Sequence, residues 1–369
     1  MEKTFASPSR YIQGKGILKS GCGYVKKLGR NALLICDDRV WELIGKEFSN
    51  DLTENGVRVT HASFNGESSL TEIERISGVG IAKYCNVVIG LGGGKCIDTA
   101  KAISDQLQIP VAIIPTIASS DAPTSALSVI YTEEGTFSQY MLFNKNPELV
   151  LVDTEVIAKS PTRLLVSGMA DAMATWIEGR AVIESGKFTM AGGKPTLAAA
   201  AIAQKCEETL FKYGIEALEA SMLNEVNEAL EKVVEANTLL SGIGFESCGL
   251  AAAHAVHNGF TALGGPVHDL THGEKVAYGI LTQLVLEKRP ASELDKYIGF
   301  FQKLGLPTTL HDLHLDQATP EEILKIGKQA AAEGETIHNM PFAISPQEIA
   351  DAILAVDAYV LEKGMILTA

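Results

Sequence analysis

Four of the chain's eight histidines fall within nineteen residues, in the stretch GLAAAHAVHNGFTALGGPVHDLTHGEKVAYG. His254 and His257 lie three residues apart in a helical pattern, whereas His268 and His272 lie in and after a Gly-Gly-Pro loop. Upstream, Asp171 stands in SGMADAMATW, a helical segment of mostly small and apolar residues. A buried carboxylate costs free energy unless it is paired, hydrogen-bonded or bound to a metal. One Asp and two His suit Zn²⁺ or Fe²⁺ and leave positions open for a substrate.

The same residue types also fit a structural role. Histidines among alanine and glycine can be core residues whose ring nitrogens are hydrogen-bonded, and the aspartate can be held within its helix. From the residues alone, both a metal site and a hydrogen-bonded core therefore stay open.

A second candidate site is the glycine-rich segment GLGGGKCIDTAKAI at residues 90–103, which follows a strand pattern and opens a helix. Backbone N–H groups and the positive end of a helix dipole suit a pyrophosphate. The segment differs from the usual dinucleotide motif because Lys95 occupies the third glycine position, and Ile89 and Cys96 exclude a Walker A loop. A tight strand–helix turn is the alternative, but four glycines and a lysine favour phosphate binding.

Asp37 and Asp38 follow the first strand pattern. A carboxylate at this place can accept hydrogen bonds from the adenosine ribose and repel a 2′-phosphate, which would favour NAD over NADP. The adjacent Arg39 weakens that preference, and capping of the next helix is an equally good explanation for the two aspartates.

The first 160 residues alternate strand and helix patterns, which predicts a doubly wound α/β sheet. Strand patterns cover residues 31–38, 57–64, 86–94, 109–117 and 148–157, and residues 125–143 predict two strands joined by a Glu-Glu-Gly turn. After the Ser-Pro at 160–161 the pattern is helical. We therefore expect an α/β domain at residues 1–160 and an all-α domain at 161–369, with the cleft between them as the place for a site.

Composition narrows the classes of function. The 369 residues are 46% hydrophobic and 21% charged, which is typical of a globular protein. The net charge of −14 argues against nucleic-acid and anionic-membrane partners, since both need a basic face. Six cysteines without a CxxC pair, and an N-terminus without an apolar signal core, predict a cytoplasmic protein. The apolar run Leu239–Leu263 contains Glu246 and two histidines, so we expect a buried helix there and no membrane span.

Several segments together resemble the glycerol-oxidising members of the iron-containing alcohol dehydrogenase family, whose fold is shared with dehydroquinate synthase. The segments are GGGKCIDTAK, PTIASSDAPTSALSVIY, GMADAMATW, GFESCGLAAAHAVHNG, HGEKVAYG and EGETIHNMP. The resemblance covers nearly the whole chain. It implies a dehydroquinate synthase-like fold, with an NAD-binding α/β domain at 1–160 and a helical metal-binding and catalytic domain at 161–369.

The resemblance also implies a metal site. It makes Asp171, His254 and His272 the ligands of one Zn²⁺ per subunit. Iron-dependent relatives have a further His one turn after the Asp, where this chain has Thr175, and that difference favours zinc. His257 and His268 are not assigned as ligands.

For the cofactor and the substrate, the resemblance places the NAD pyrophosphate on Gly93, Gly94 and Lys95, and the adenosine end near Asp37. Asp121 matches the residue that binds the substrate hydroxyl. The positions that match a lining of the cofactor are Thr116, Ser119, Ser125, Leu127 and Tyr131.

The implied reaction is zinc-dependent oxidation of glycerol by NAD⁺ to dihydroxyacetone, with metal-assisted hydride transfer from C2. The alternative is another small vicinal diol or hydroxyketone, such as 1,2-propanediol or hydroxyacetone. The predicted site segments hold only Arg163, Arg180 and Lys275 as cations, which argues against a phosphorylated substrate. A non-enzymatic NAD-binding regulator or metal-storage protein is a further hypothesis. Assembly into homo-oligomers, often octamers, is implied by the resemblance alone.

Overall fold

The computed structural model describes residues 2–364, and its contacts divide the chain into two compact units. The first, which we call the α/β unit, comprises Ala6–Leu165 and Glu219–Gly242. The second, the helical unit, comprises Val166–Leu218 together with the described residues before Ala6 and from Ile243 onward. The assignment of NAD binding to residues 1–160 and of metal binding to residues 161–369 stays a prediction.

The α/β unit is built on a parallel sheet. Its strands are β1 Tyr11–Gly14, β2 Asn31–Cys36, β3 Arg58–Ser63, β4 Val87–Gly92, β5 Val111–Pro115 and β8 Leu149–Asp153, and β6 Leu127–Tyr131 pairs with β7 Phe137–Leu142 in an antiparallel hairpin. The order within the six-stranded sheet of the described residues is β1-β8-β5-β4-β2-β3. Strands β2, β4, β5 and β8 are buried along their whole length, as continuous apolar runs require. The predicted strands are confirmed, whereas β1, which has only four residues, was not predicted.

The remaining elements are helices, some of which belong to the α/β unit and the others to the helical unit. In chain order they are α1 Leu18–Leu28, α2 Asp38–Val40, α3 Lys46–Glu54, α4 Leu70–Ala82, α5 Gly94–Leu107, α6 Thr154–Ala158, α7 Thr162–Ser185, α8 Leu197–Met222, α9 Glu228–Glu235, α10 Ser241–Cys248, α11 Ala252–Gly259, α12 His272–Leu286, α13 Ala291–Leu304, α14 Pro320–Ala330 and α15 Pro346–Glu362. Trp41–Gly45 and Ala236–Leu240 are π-helical turns, and Phe260–Ala262, Pro266–Asp269 and Thr336–Asn339 are short 3₁₀ turns. The fold class is therefore as predicted, a parallel α/β sheet followed by a largely helical remainder.

Three adjacent parallel strands end at one edge of the sheet. Asp37 directly follows β2, Gly93 follows β4 and Thr116 follows β5. The carboxyl edge of a parallel sheet is where open α/β folds bind their ligands. The topology of the α/β unit thus collects the predicted nucleotide residues at a suitable edge.

In the helical unit, two glycines allow α12 to approach its neighbours closely. A Cβ atom at Gly273 would lie 1.8 Å from the carbonyl oxygen of Ser167 in α7, and one at Gly279 would lie 2.3 Å from that of Ala253 in α11. Any larger residue would collide with these backbones. The two glycines therefore set the spacing of α7, α11 and α12.

Within residues 2–364, no single helix is long and apolar enough to cross a membrane. The segments Glu228–Cys248 and Ala252–Ala262 pass that test of length and composition only as a pair bent by 100°. All six cysteines are free, and five of them are buried.

Candidate active site

Asp171, His254 and His272 converge in the helical unit, one from each of α7, α11 and α12. The Nε2 atom of His254 lies 3.2 Å from Oδ1 of Asp171, and the Nε2 atom of His272 lies 3.1 Å from the same oxygen. One carboxylate oxygen and one nitrogen from each histidine lie within 4.8 Å of one another. Two nitrogens and one oxygen at this spacing match the donor set of a divalent transition-metal ion.

The start of α12 explains why His272 points at this cluster. Thr271 caps the helix by accepting from the backbone N–H of Glu274 at 3.3 Å, and the Glu274 carboxylate accepts from the backbone N–H of Thr271 at 2.6 Å. This reciprocal capping box makes His272 the first helical residue. The N–H of Gly273 donates to the Ser167 hydroxyl at 3.2 Å, which ties that first turn to α7.

Electrostatics keep the Asp171 carboxylate charged although only 1% of the side chain is exposed. Burial by itself raises the pKa of Asp171, but His272 and His254 outweigh burial and hold the pKa well below its usual value. Burial likewise opposes the charged form of His254, yet the carboxylates of Glu178 and Asp171 raise its pKa well above the ordinary value. The cluster is thus arranged around a buried negative charge, which attracts a cation.

Sequence reasoning missed Glu178, whose side chain is fully buried against His254. Its Oε2 atom lies 2.6 Å from Nδ1 of His254, on the side of the ring opposite the nitrogen that faces Asp171. A signal for it exists: Glu178 stands seven residues after Asp171, about two helical turns along the same face of α7. In the structure the two acids contact the same residue, His254.

The other two histidines of the segment, His257 and His268, make different contacts. The Nδ1 atom of His257 lies 3.1 Å from Oδ1 of Asn258, and its ring lies edge-on to that of His272, with the centroids 4.2 Å apart. Burial, followed by the nearby charges of His272 and Lys275, lowers the pKa of His257 well below its usual value. The Nε2–H of His268 donates to the carbonyl oxygen of Leu263 at 2.6 Å. Thr175 is buried one turn after Asp171.

The predicted phosphate residues lie at the N-terminus of α5. Gly93 caps this helix without a side chain. A Cβ atom at Gly93 would lie 2.9 Å from Ile117, and one at Gly94 would lie 3.4 Å from the Ser120 hydroxyl, so the glycine loop packs against the loop after β5. The Nζ atom of Lys95 contacts both carboxylate oxygens of Glu67, at 2.6 and 2.7 Å, and lies 4.9 Å from the ring centroid of Tyr131.

The loop after β5 carries Thr116, Ser119, Asp121 and Ser125. The Thr116 N–H donates to the carbonyl oxygen of Gly92 at 3.0 Å, which joins this loop to the end of β4. The hydroxyl of Ser241 donates to Oδ2 of Asp121 at 3.4 Å. Ser119 is partly buried.

Buried Lys101 of α5 holds the far end of this loop. Its ammonium group donates to the carbonyl oxygen of Ala122 at 2.9 Å, to the backbone and hydroxyl oxygens of Ser125 at 3.4 Å, and to the carbonyl oxygen of Leu127. The sequence indicated only that this lysine lies in a helix, and its contacts with the loop were not predicted. The hydrogen bonds of Thr116 and Lys101 therefore fix the two ends of the loop after β5.

Asp37 caps α2, because its Oδ1 atom accepts from the N–H of Val40 at 2.8 Å. Asp38 accepts from the Ser63 hydroxyl at 2.7 Å. Asp37 therefore has the capping role that the sequence allowed. The cap keeps Asp37 at the carboxyl edge of the sheet, beside β4, the strand that leads into the glycine loop.

The sequence and the structure were compared with those of known proteins. The sequence profile of the iron-containing alcohol dehydrogenase family matches residues 8–154. The chain is 48% identical to glycerol dehydrogenase of Citrobacter freundii over 97% of this chain and 98% of that protein. It is 46% identical to glycolaldehyde reductase of Halobacterium salinarum, again over 97% and 98%. The crystal structure of glycerol dehydrogenase from Schizosaccharomyces pombe superposes with a TM-score of 0.95 at 44% identity, over 99% of this chain and 94% of that one.

Proposed function

The chain belongs to the iron-containing alcohol dehydrogenase family, and we propose that it oxidises glycerol at C2 to dihydroxyacetone with NAD⁺ as hydride acceptor. In this proposal Asp171, His254 and His272 hold one Zn²⁺ per subunit. The observation that carries the proposal is the convergence of these three side chains in a chain 48% identical, nearly end to end, to a glycerol dehydrogenase.

The donor set supports a catalytic rather than a structural metal. Structural zinc sites have four protein ligands, whereas a catalytic zinc keeps a position open for substrate. Among residues 2–364, three metal-binding side chains meet here, and Thr175 stands at the place of the fourth ligand in iron-dependent relatives. We therefore propose zinc.

The carboxyl edge of the sheet supports NAD as the cofactor. A pyrophosphate at the N-terminus of α5 would contact the backbone N–H groups of the first helical turn, which begins at Gly94, and the positive end of the helix dipole. Lys95 supplies the positive charge once it exchanges Glu67 for phosphate oxygens. Asp37 stands at the end of the neighbouring strand, in reach of an adenosine ribose, and Thr116, Ser119, Ser125, Leu127 and Tyr131 are the further residues proposed to line the cofactor.

A bound zinc ion would supply a Lewis acid that lowers the pKa of the substrate hydroxyl group, and bound NAD⁺ would supply the hydride acceptor. The chain's own residues bind and orient the reactants. Asp171 would supply the negative charge that holds the cation, and His254 and His272, whose Nε2 atoms face Oδ1 of Asp171, would complete the set of protein ligands. Asp121, oriented by the Ser241 hydroxyl, binds a substrate hydroxyl as hydrogen-bond acceptor.

A second candidate is the reduction of a small hydroxycarbonyl compound or the oxidation of another vicinal diol. The 46% identity to a glycolaldehyde reductase favours this reading, because that protein is as similar to the chain as several glycerol dehydrogenases are. In this proposal the second candidate uses the same metal and the same cofactor, so it differs from the first in the substrate alone.

The experiment measures zinc content by elemental analysis and then NADH formation with glycerol, 1,2-propanediol and ethylene glycol, and NADH consumption with dihydroxyacetone, hydroxyacetone and glycolaldehyde. Highest catalytic efficiency for the glycerol–dihydroxyacetone couple is expected. A higher efficiency with glycolaldehyde would favour the second candidate, and metal-free protein with full activity would refute the proposal. A cytoplasmic location and assembly into homo-oligomers, by resemblance octamers, also belong to this proposal and rest on the sequence alone.

A further inference from the structure

The short helix α11, which carries His254, begins without a capping side chain of its own. The first backbone N–H groups of a helix have no acceptor within it and need one from elsewhere. Two buried side chains of other helices supply the acceptors. Oε1 of Glu178 accepts from the N–H groups of Ala251 and His254, at 2.9 and 3.0 Å, and Oε1 of Gln283 accepts from those of Ala252 and Ala253, both at 3.0 Å.

The second oxygen of Glu178 contacts the His254 ring itself. Oε2 lies 2.6 Å from Nδ1, while Nε2 of the same ring faces Oδ1 of Asp171. A carboxylate can only accept, so Nδ1–H donates to Glu178. In a neutral imidazole that leaves the lone pair on Nε2, the nitrogen that faces the metal site.

We propose that Glu178 is a positioning residue for the metal site, which holds His254 in the tautomer and ring orientation that present Nε2 to the metal. The inference rests on the proposed role of His254 as a ligand. Glu178 is not itself a ligand in this proposal, because the imidazole ring stands between its carboxylate and Asp171. Through its other oxygen the same carboxylate ties the ring to the start of α11.

The competing explanation is that Glu178 only caps α11, and Glu178→Gln separates the two roles. The amide oxygen can still accept from the two backbone N–H groups, but the amide NH₂ then faces Nδ1. The ring must place its proton on Nε2, where it blocks metal binding. We expect the zinc affinity to fall about 10- to 100-fold, measured by competition with a chromophoric chelator, together with a changed visible spectrum of the Co²⁺-substituted protein.

Gln283→Met is the matched control, because it removes the other capping oxygen of α11 without touching His254. It should lower the thermal midpoint of unfolding and leave the zinc affinity and the Co²⁺ spectrum near those of the wild type. Glu178→Asp keeps a carboxylate at a shorter reach, so it should bind zinc more tightly than Glu178→Gln does. A capping role alone predicts the reverse order, and that result would overturn the inference.

Should Glu178→Gln not fold, Glu178→Asp decides: retained zinc binding supports the role of the carboxylate, and lost zinc binding overturns it. Asp171→Asn in the same titration tests the metal site separately. If Asp171→Asn binds zinc as the wild type does, the proposed ligand set is wrong. If Asp171→Asn loses zinc and Glu178→Gln does not, the metal site stands and only the role of Glu178 is wrong.

Discussion

Replacing Gly273 with alanine tests whether the close packing of α12 on α7 creates the metal site. The new Cβ atom would lie 1.8 Å from the carbonyl oxygen of Ser167, so the first turn of α12 has to move away by roughly 1 Å or more. His272 stands in that turn, 3.1 Å from Asp171 across the gap between the helices. Metal–ligand distances tolerate only about 0.2 Å.

The strain of such overpacking is about 1–3 kcal/mol. Because zinc requires His272 at its native position, while the metal-free protein can relax, most of that strain opposes metal binding. At about 1.4 kcal/mol per factor of ten, we expect zinc affinity to fall roughly 5- to 150-fold. Turnover of the zinc-saturated variant should fall by about a hundredfold, since displacements of this size disturb the alignment of reactants.

The assay is a zinc titration by chelator competition, with thermal unfolding followed in parallel. Gly299→Ala in α13 is the matched control, because nothing lies within 4 Å of a Cβ atom there. That change should keep the zinc affinity and stabilise the protein by up to about 1 kcal/mol, as an alanine does in a helix. Wild-type zinc affinity in a folded Gly273→Ala protein would show that the spacing of α7 and α12 does not determine the site.

Further predictions concern the cofactor and the ligands. Lys95→Met should raise the apparent Michaelis constant for NAD⁺ about tenfold and leave the zinc content unchanged. A tenfold effect is at the lower end of what the loss of a charged hydrogen bond causes, because Lys95 is 43% exposed. An unchanged Michaelis constant would show that the glycine loop is only a turn. Catalytic efficiency should be higher with NAD⁺ than with NADP⁺, and equal efficiencies would contradict the role of Asp37. Asp171→Ala should abolish zinc binding in elemental analysis after chelation and re-addition of zinc, whereas His257→Ala and His268→Ala should keep it; full zinc in the first variant would refute the ligand set.

Local patterns in the sequence predicted most of the elements. Strands β2, β4 and β5 appear as apolar runs because strands buried on both faces are built mostly from apolar residues. The glycines at 92–94 were recognisable because a strand that turns at once into a helix admits few other residues. The resemblance singled out Asp171, His254 and His272, since they stand in short segments that can be read one at a time.

Contacts between distant segments were decided by the tertiary structure. Strand β1 is too short to be recognised, and it becomes a strand because β8 offers a parallel edge. Residues 219–242 show a helical pattern like those around them, yet they pack with the α/β unit. Helical periodicity shows which face of a helix is apolar, but many surfaces of the same protein could cover that face.

The partners of the ligands were decided in the same way. Glu178 and His254 are 76 residues apart, and Lys95 and Glu67 are 28 apart. A carboxylate in a sequence carries no mark of the group that it will contact, because hydrogen bonds and ion pairs depend on positions in space. For Glu178 in α7 and His254 in α11, those positions follow from the packing of both helices on α12 at Gly273 and Gly279, where the absence of a side chain lets two backbones meet.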